Sequence, residues 1–262
     1  SNIFKRVLVD IMVYFPGKLL PALTGLITIP IFARLFDPSE YGVLALIGMF
    51  TAVGGIAVGS WLTASVIRFL SYYRKLGQLD HFYSTLLSAF LLSLAVLAAI
   101  FIPLYFFIEG TVSVEVHRLL PLGGIIIAVS TLFAILQTVL RADQRSSLFV
   151  GFELFQVYGA LALGLILVIA LGFGVEGILL GSLAALTTSC IGILWWLTRQ
   201  GVKLSMASFS RATLREFAVY GLPGGVATIG TWLLSLSDRY IIELYRGTTE
   251  VGLYSMGYSI AD

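Results

Sequence analysis

Residues 37–48 read DPSEYGVLALIG, and residues 247–258 read GTTEVGLYSMGY. When Glu40 is aligned with Glu250, the next four residues, YGVL, lie opposite VGLY. The two segments share an acid and, two residues later, a glycine within an apolar run, at an offset of 210 residues. The chain therefore contains an internal repeat of long period.

The composition places the chain in a lipid bilayer. Of its 262 residues 58% are hydrophobic and 11% are charged, and the mean hydropathy is +0.98, so the apolar surface exceeds what one water-soluble domain buries. The net charge is only +2 and the basic residues are scattered, which excludes the basic patch of a nucleic-acid-binding protein. Cys190 is the single cysteine, which excludes an internal disulfide and a cysteine-based zinc cluster.

Short polar stretches divide the chain into apolar segments of about 20 residues, the length that crosses a bilayer. The pattern predicts seven full spans and part of an eighth, at roughly 11–35, 41–66, 82–108, 119–140, 148–172, 175–198, 217–240 and from 251 onward. We therefore expect an all-α polytopic membrane protein. Its domains are a six-helix lobe (1–200), a cytoplasmic linker (201–216) and the start of a second, repeat-related lobe (217–262). Because the eighth segment stops at Asp262 and the chain opens on Ser1 without a methionine, we expect a fragment of a longer protein.

A second match extends the repeat to the preceding spans. VYFPGKL at 13–19 aligns with VYGLPGGV at 219–226, so span seven repeats span one and span eight repeats span two. Because six spans separate the copies, both cross the membrane in the same direction, as in the parallel-repeat class of transporters. Two six-helix bundles are therefore expected, with chance similarity between apolar segments as the alternative.

The basic residues set the expected orientation. The N-terminus and the even-numbered loops hold Lys5, Arg6, Arg68, Arg74, Lys75, Arg141, Arg145, Arg199, Lys203, Arg211 and Arg215. The odd-numbered loops hold only Arg34, Arg118 and Arg246. Since short cytoplasmic loops are enriched in Lys and Arg, the N-terminus is expected on the cytoplasmic side.

Two stretches carry helix-start signals. In DPSE, Asp37 suits the N-cap, Pro38 the first helical position and Glu40 the acid of a capping box. In SFSRATLREF, Ser208 or Ser210 is the candidate cap. The second stretch favours either a short helix in the cytoplasmic interface that leads into span seven, or an ordinary loop.

Three stretches carry a resemblance to a known family: PALTGLITIPIFARLFDPSEYGVLAL at 21–46, LRADQRS at 140–146 and SDRYIIELYRGTTEVGLYSMGYSIAD at 237–262. Together they resemble the polysaccharide-biosynthesis (O-antigen, Wzx-like) flippases of the multidrug/oligosaccharidyl-lipid/polysaccharide (MOP) exporter superfamily. Members have 12 to 14 helices in two six-helix lobes around a central cavity. The resemblance implies that this chain carries the first lobe and the beginning of the second.

The resemblance also implies a function. It is the translocation of an undecaprenyl-diphosphate-linked oligosaccharide from the cytoplasmic to the outer leaflet of the bacterial cytoplasmic (inner) membrane, for O-antigen, capsule or exopolysaccharide assembly. The implied partners are this lipid-linked substrate, membrane lipids, and a polysaccharide polymerase with other assembly proteins. No nucleic-acid partner is expected.

A flippase for a lipid diphosphate carries an anionic headgroup through an apolar layer, so a cation in the cavity wall is a physical need. Lys18 is the candidate. Tyr14, Lys18 and Thr28 fall on one face of span one at helical spacing. This face suits a water-filled cavity.

Span seven carries a matching face with Thr228, Thr231 and Ser235 at helical spacing. If spans one and seven face each other, these hydroxyls line the substrate cavity between the lobes. Small and hydroxyl residues also mediate plain helix packing in membranes, so both interpretations stay open.

Four further polar residues are candidates for coupling, charge pairing or substrate contact. Glu153 either couples transport to a proton or sodium ion or neutralises Lys18 from a neighbouring helix, since charges in membranes usually pair. Gln137 lies at the inner end of span four, where it suits a cytoplasmic vestibule. Asp238 and Arg239 at the outer end of span seven either contact other helices, gate the cavity, or form a pair that snorkels to the interface.

Other function classes fit the sequence less well. An integral-membrane polymerase or glycosyltransferase needs catalytic carboxylates or a large soluble loop, and no metal-ligand cluster, nucleophile elbow or phosphate loop appears. We therefore expect neither an enzyme nor a metal or other cofactor, and leave coupling to a proton or sodium gradient open. A multidrug (MATE-like) exporter calls for an acidic cavity, against which Lys18 argues. A lipid II exporter fits less well because its relatives carry several arginines in the first two spans, whereas the cavity cations are sparse in this chain.

Overall fold

The computed structural model describes residue 28 and residues 30–201 and 209–261, and every regular element in this part of the chain is an α-helix. Residue 28 and residues 30–35 are helical and belong to α1. The other helices are α2 (Pro38–Lys75), α3 (Leu79–Phe107), α4 (Val114–Ala142), α5 (Ser146–Leu171), α6 (Gly174–Arg199), α7 (Arg211–Arg246) and α8 (Thr248–Ala261). Of these, α2 to α7 are long and apolar enough to cross a membrane. The predicted all-α polytopic fold is confirmed.

The loops lie at two ends of the bundle that differ in charge. The basic end holds the α2–α3, α4–α5 and α6–α7 connections, and there the Arg74 guanidinium pairs with the Asp143 carboxylate. The acidic end holds the α1–α2, α3–α4, α5–α6 and α7–α8 connections, and there Arg118 pairs with Glu176 at 2.7 Å. Alternate loops thus meet at the same end, as expected for helices that cross a membrane in turn.

The described part of the chain is built around α2. Its 38 residues make this helix about 57 Å long, nearly twice the hydrocarbon thickness of a bilayer. It packs against α3, α4, α6, α7 and α8. Ile47, Leu62, Val66 and Leu70 on α2 are fully buried. Because α2 touches most of the other helices, residues on its several faces position much of the bundle.

The start of α2 has the predicted capping box. The Asp37 carboxylate accepts a hydrogen bond from the Glu40 amide at 2.9 Å, and the Glu40 carboxylate accepts one from the Asp37 amide at 3.1 Å. Pro38 occupies the first helical position. These contacts satisfy backbone amides that have no partner within the helix.

At the start of α7, the Ser210 hydroxyl accepts a hydrogen bond from the Thr213 amide at 3.3 Å, and the helix continues without interruption to Arg246. Residues 211–216 therefore form neither a separate interfacial helix nor a loop, but the first turns of α7. Ser208 lies outside the described residues. The helix extends this far because its first turns pack against α2 and α3.

An aromatic cluster at the basic end provides that packing. Phe217 of α7 is fully buried, and its ring centroid lies 5.4 Å from that of Phe82 on α3. The Tyr73 hydroxyl of α2 lies 3.0 Å from the Thr213 hydroxyl and donates a hydrogen bond to the Glu216 carboxylate at 2.8 Å. The first turns of α7 are thus held by both apolar and polar contacts.

The two copies of the repeat meet at the acidic end. A Cβ at Gly42 of α2 would overlap the carbonyl oxygen of Thr248, and a Cβ at Gly252 of α8 would overlap that of Pro38. Gly42 and Gly252 are equivalent in the repeat, and so are Pro38 and Thr248. The contact is therefore reciprocal, as across a twofold axis. The Ser39 and Thr248 hydroxyls, 3.1 Å apart, add a hydrogen bond beside it.

The outer surface of the bundle is apolar. Large side chains on α3 and α5, among them Ile100, Phe107, Ile166 and Ile169, are more than half exposed. In water such a surface would be costly, whereas in a bilayer it contacts lipid. The fold therefore places its polar contacts inside the bundle and at its two ends.

Candidate functional site

A cleft opens between α2, α4 and α7 in the middle of the bundle. Its volume is about 430 Å³, within the range of small-molecule sites. The lining combines hydroxyl-bearing, small and aliphatic residues with one tryptophan: Thr51, Ala52, Gly55, Ile56, Gly59, Ser60, Thr63, Ser130, Thr131, Ala134 and Trp232. No charged side chain occurs among these described lining residues.

The α2 wall of the cleft follows a four-residue spacing. Thr51, Gly55, Gly59 and Thr63 succeed one another along one helix face. The glycines leave room for α4, since a Cβ at Gly59 would lie 2.9 Å from the Thr131 methyl carbon. Sequence reasoning missed this wall, although the spacing itself was a usable signal.

The hydroxyls of the cleft fall into two groups. Thr51, Thr63 and Ser130 donate to carbonyl oxygens of their own helices, at 2.8, 3.0 and 3.2 Å. The hydroxyl oxygens of Ser60 and Thr131 are buried and make no hydrogen bond within the described part of the chain. Thr131 is only 2% exposed. Because a buried hydroxyl without a partner is unfavourable, these two groups favour a polar ligand.

Trp232 forms the α7 side of the cleft. Its side chain is 41% exposed, so a large part of the indole surface is open to a ligand. The aromatic side chain therefore faces a wall of hydroxyls on α2 and α4. This residue was also absent from the sequence-based candidates.

The predicted face of α7 lies beside the cleft. The Thr228 and Thr231 hydroxyls donate to the carbonyl oxygens of Gly224 and Ala227, at 2.9 and 3.1 Å. Both side chains are absent from the described lining of the cleft. The side chain of Ser235 lies outside the described part of the structure. The neighbour of Thr231, Trp232, is the residue of this segment that enters the cleft.

The span-one candidates fall mostly outside the described residues. Tyr14 and Lys18 lie there, so their predicted contacts with substrate stay predictions. Thr28 is described, is helical and is half-buried.

Gln137 and Glu153 are brought together by α4 and α5. The Gln137 side-chain amide donates to the Glu153 carboxylate at 3.1 Å and to the Phe149 carbonyl oxygen at 3.1 Å. Gln137 is 5% exposed, and its side-chain oxygen makes no hydrogen bond within the described residues. The sequence singled out both residues without pairing them. Glu153 thus has a neutral partner on α4.

Asp238 and Arg239 both contact α8. The Asp238 carboxylate accepts a hydrogen bond from the Tyr254 hydroxyl, and the Arg239 guanidinium lies 4.8 Å from the centre of the Tyr258 ring. The ion pairs among the described residues, Arg74–Asp143 and Arg118–Glu176, involve neither side chain. The two charges thus join α7 to α8, and a gating role stays a prediction.

The sequence matches one family model. Residues 31–262 match the polysaccharide biosynthesis protein family, which is most of the chain. No curated protein matches the chain.

Several solved structures share the fold. An inward-facing multidrug resistance MATE family transporter of the MOP superfamily gives a TM-score of 0.67 at 16% identity, over 91% of this chain and 61% of that chain. An outward-facing one gives 0.66 at 18%, over 98% and 59%. A MOP superfamily transporter from Pyrococcus furiosus Vc1, whose reversed pocket polarity suggests a different function, gives 0.64 at 16%, over 97% and 62%.

The present chain thus spans about 60% of the length of these structures. The neighbours are transporters rather than enzymes, in agreement with the expectation from the sequence. The chain belongs to the polysaccharide biosynthesis protein family and has the fold of the MOP-superfamily transporters.

Proposed function

We propose that the whole protein flips an undecaprenyl-diphosphate-linked oligosaccharide from the cytoplasmic to the outer leaflet of the bacterial inner membrane. The observation that carries the proposal is the uncharged, hydroxyl-lined cleft in a chain of the polysaccharide biosynthesis family. Such a lining suits the neutral, hydroxylated sugar part of this cargo. O-antigen, capsule or exopolysaccharide assembly would use the product, with a polymerase and other assembly proteins as partners.

The charge asymmetry supports a direction for the protein in the membrane. The basic end carries Arg74, Lys75, Arg141, Arg145 and Arg199. These residues lie at the ends of α2, α4 and α6 and in the loop after α4. By the positive-inside rule we propose that this end is cytoplasmic and that the N-terminus is cytoplasmic as well. The cleft then lies about midway between the two membrane surfaces.

Lys18 is the residue to which we assign the diphosphate. An isolated ammonium at the centre of a membrane helix costs about 2.5–3.5 kcal/mol, so it calls for an anionic partner from the protein or from the substrate. Gln137 donates to Glu153 but does not neutralise its charge, so Glu153 stays the alternative partner of Lys18. If the diphosphate is the partner, Lys18→Ala should abolish flipping at normal membrane yield, whereas Lys18→Arg should keep part of the activity because the charge remains. Full flipping by Lys18→Ala would contradict this assignment.

The proposal is tested by reconstituting the full-length protein in proteoliposomes with a fluorescent undecaprenyl-diphosphate-linked oligosaccharide. Reduction of the outer-leaflet fluorophore by a membrane-impermeant reagent measures how much substrate changes leaflet. We expect loss of the protected inner-leaflet fraction with the protein and its retention in empty liposomes. A proton or sodium gradient imposed across the same vesicles tests coupling.

A multidrug or lipid II exporter of the same superfamily is the alternative. Exchange of a cationic dye against protons or sodium, without movement of the lipid-linked oligosaccharide, would support the first. Movement of lipid II alone would support the second. Either result would overturn the proposed cargo while leaving the transporter fold untouched.

A further inference from the structure

We propose that the cleft between α2, α4 and α7 is a carbohydrate subsite that binds one neutral pyranose ring of the cargo. The ring stacks on the Trp232 indole and is hydrogen-bonded by the Thr131 and Ser60 hydroxyls. This inference rests on the proposed function and adds that different parts of the cargo bind at different sites. The cleft holds a sugar, and the diphosphate binds elsewhere.

The first argument comes from hydrogen-bond donors without partners. Thr131 is 2% exposed, lines the cleft, and its hydroxyl makes no hydrogen bond within the described residues. Ser60 of α2 also lines the cleft; the residue is half-buried, and its buried hydroxyl oxygen makes no hydrogen bond within the described residues. Two buried hydroxyls in one cleft are stabilised when a ligand supplies oxygen atoms that accept from them.

The second argument comes from the acceptors. The hydroxyls of Thr51, Thr63 and Ser130 use their protons on carbonyl oxygens of their own helices. Each therefore offers only lone pairs to a ligand. A sugar hydroxyl is both a donor and an acceptor, so a polyhydroxylated ring can pair with both groups of side chains at once.

The third argument is that other classes of ligand would leave a charge or the cleft hydroxyls without a partner. A phosphate or a cation would enter a cleft whose described lining holds no opposite charge, and burying an unpaired charge is costly. An acyl chain would leave the Thr131 and Ser60 hydroxyls without partners. A neutral ligand rich in hydroxyls avoids both costs.

The fourth argument comes from Trp232. The C–H bonds on one face of a pyranose ring carry partial positive charge, and the indole face carries negative charge, so the two attract each other. Trp232 lies on α7, opposite hydroxyls on α2 and α4. A sugar ring seated there contacts α7 and the first lobe at the same time.

The test measures binding of soluble sugars to the full-length protein in lipid nanodiscs by saturation-transfer NMR. The probes are the methyl glycosides of glucose, galactose, mannose and N-acetylglucosamine, with methyl glucuronide as an anionic comparison. We expect saturation of ring protons for at least one neutral glycoside and weaker saturation for the glucuronide. Binding should fall by about tenfold in Trp232→Ala/Thr131→Val, as expected for the loss of a hydrogen bond and a stacking contact.

The matched control is Trp195→Ala/Thr187→Val, which removes the same two residue types from exposed positions on α6, outside the described lining of the cleft. This variant should bind like the wild type. Trp232→Phe and Thr131→Ser keep a ring and a hydroxyl, and should each restore part of the binding. These single changes give a result even if the double variant folds poorly.

Flipping assays separate this inference from the proposed function. Trp232→Ala should raise the apparent KM for the lipid-linked oligosaccharide about five- to tenfold and leave any movement of sugar-free undecaprenyl diphosphate unchanged. If the wild type flips the oligosaccharide but binds no glycoside, or if the cleft variant behaves like the control, the subsite is refuted and the function stands. If the wild type binds glycosides in the cleft but flips nothing, the function is refuted and the subsite stands.

Discussion

Glu153 is the charged residue of α5, a helix that is otherwise apolar or weakly polar along its length. Its carboxylate accepts a hydrogen bond from Gln137, which also donates to the Phe149 carbonyl oxygen. One buried amide therefore supports both a side chain and the backbone of the neighbouring helix. At this scale, one side chain makes two hydrogen bonds between α4 and α5.

Gln137→Leu should destabilise the protein by about 1–3 kcal/mol, because it removes the hydrogen bonds that the Gln137 amide donates to the Glu153 carboxylate and to the Phe149 carbonyl oxygen. The measurement is the thermal unfolding temperature of the purified protein in detergent. Thr138→Val on the same helix is the control, since the Thr138 hydroxyl bonds only within α4. Gln137→Leu/Glu153→Leu should recover part of the loss, and no recovery would contradict the pairing.

At the scale of helices, α2 makes two different contacts with the start of the second lobe. At the acidic end it meets α8 through the reciprocal Gly42 and Gly252 contact, where the backbones touch. At the basic end it meets α7 through the aromatic cluster and the Tyr73 hydroxyl. The first contact tolerates no added atom, whereas the second depends on particular side-chain groups.

Gly42→Ala and Gly252→Ala should each destabilise the protein by about 1–3 kcal/mol, because the added methyl group has no space between α2 and α8. The control variants are Gly48→Ala on α2 and Gly257→Ala on α8, where a Cβ meets nothing within 4 Å. They should not lower the unfolding temperature, since alanine is the better helix former. Equal effects of the four changes would argue against the close contact.

Tyr73→Phe should loosen the first turns of α7, because it removes the hydrogen bonds to Thr213 and Glu216 while keeping the ring in the cluster. Hydrogen exchange at the amides of residues 211–217 should become faster. Tyr72→Phe, at an exposed neighbouring position, is the control. Unchanged exchange in Tyr73→Phe would show that the aromatic packing alone holds α7.

On the scale of the whole molecule, the repeat relates the first lobe to the start of the second. The equivalent helices α2 and α8 are in contact. The Ser39 and Thr248 hydroxyls lie 3.1 Å apart at this junction, on opposite lobes. A transporter that alternates between two openings has to separate its lobes at each end in turn. The junction is therefore a place where movement between the lobes can be blocked.

In a Cys190→Ser background, oxidised Ser39→Cys/Thr248→Cys should form a disulfide, because the parent hydroxyls are in contact. We expect flipping by the full-length variant to stop on oxidation and to return on reduction. The two single-cysteine variants are the controls. Full activity of the cross-linked protein would show that the acidic end stays closed throughout transport.

The helices could be predicted from the sequence because their signals are local. The start of α2 is indicated within four residues by Asp37, Pro38 and Glu40. The spans are indicated by apolar runs of bilayer length. The end of the linker was harder to predict, since residues 211–216 become helical through contacts with α2 and α3 that no local pattern records.

The candidate site was predictable only in part. Glu153 and Gln137 stand out because polar groups are rare and costly in membrane helices. The cleft was not predicted, because its α2 wall consists of residue types that also serve ordinary helix packing: Thr51, Gly55, Gly59 and Thr63. Which role they take depends on where α4 and Trp232 come to lie, and this is a property of the assembled bundle.

The reciprocal glycine contact also joins two segments that are synthesised at different times. Gly42 leaves the ribosome 210 residues before Gly252, which at about 5–20 residues per second means a delay of roughly 10–40 s. During that time Gly42 lacks the backbone partners that α8 provides. Packing of α8 against α2 then buries Val251 fully. The glycine pair thus makes residues 248–252 the segment on which the packing of the start of α2 depends.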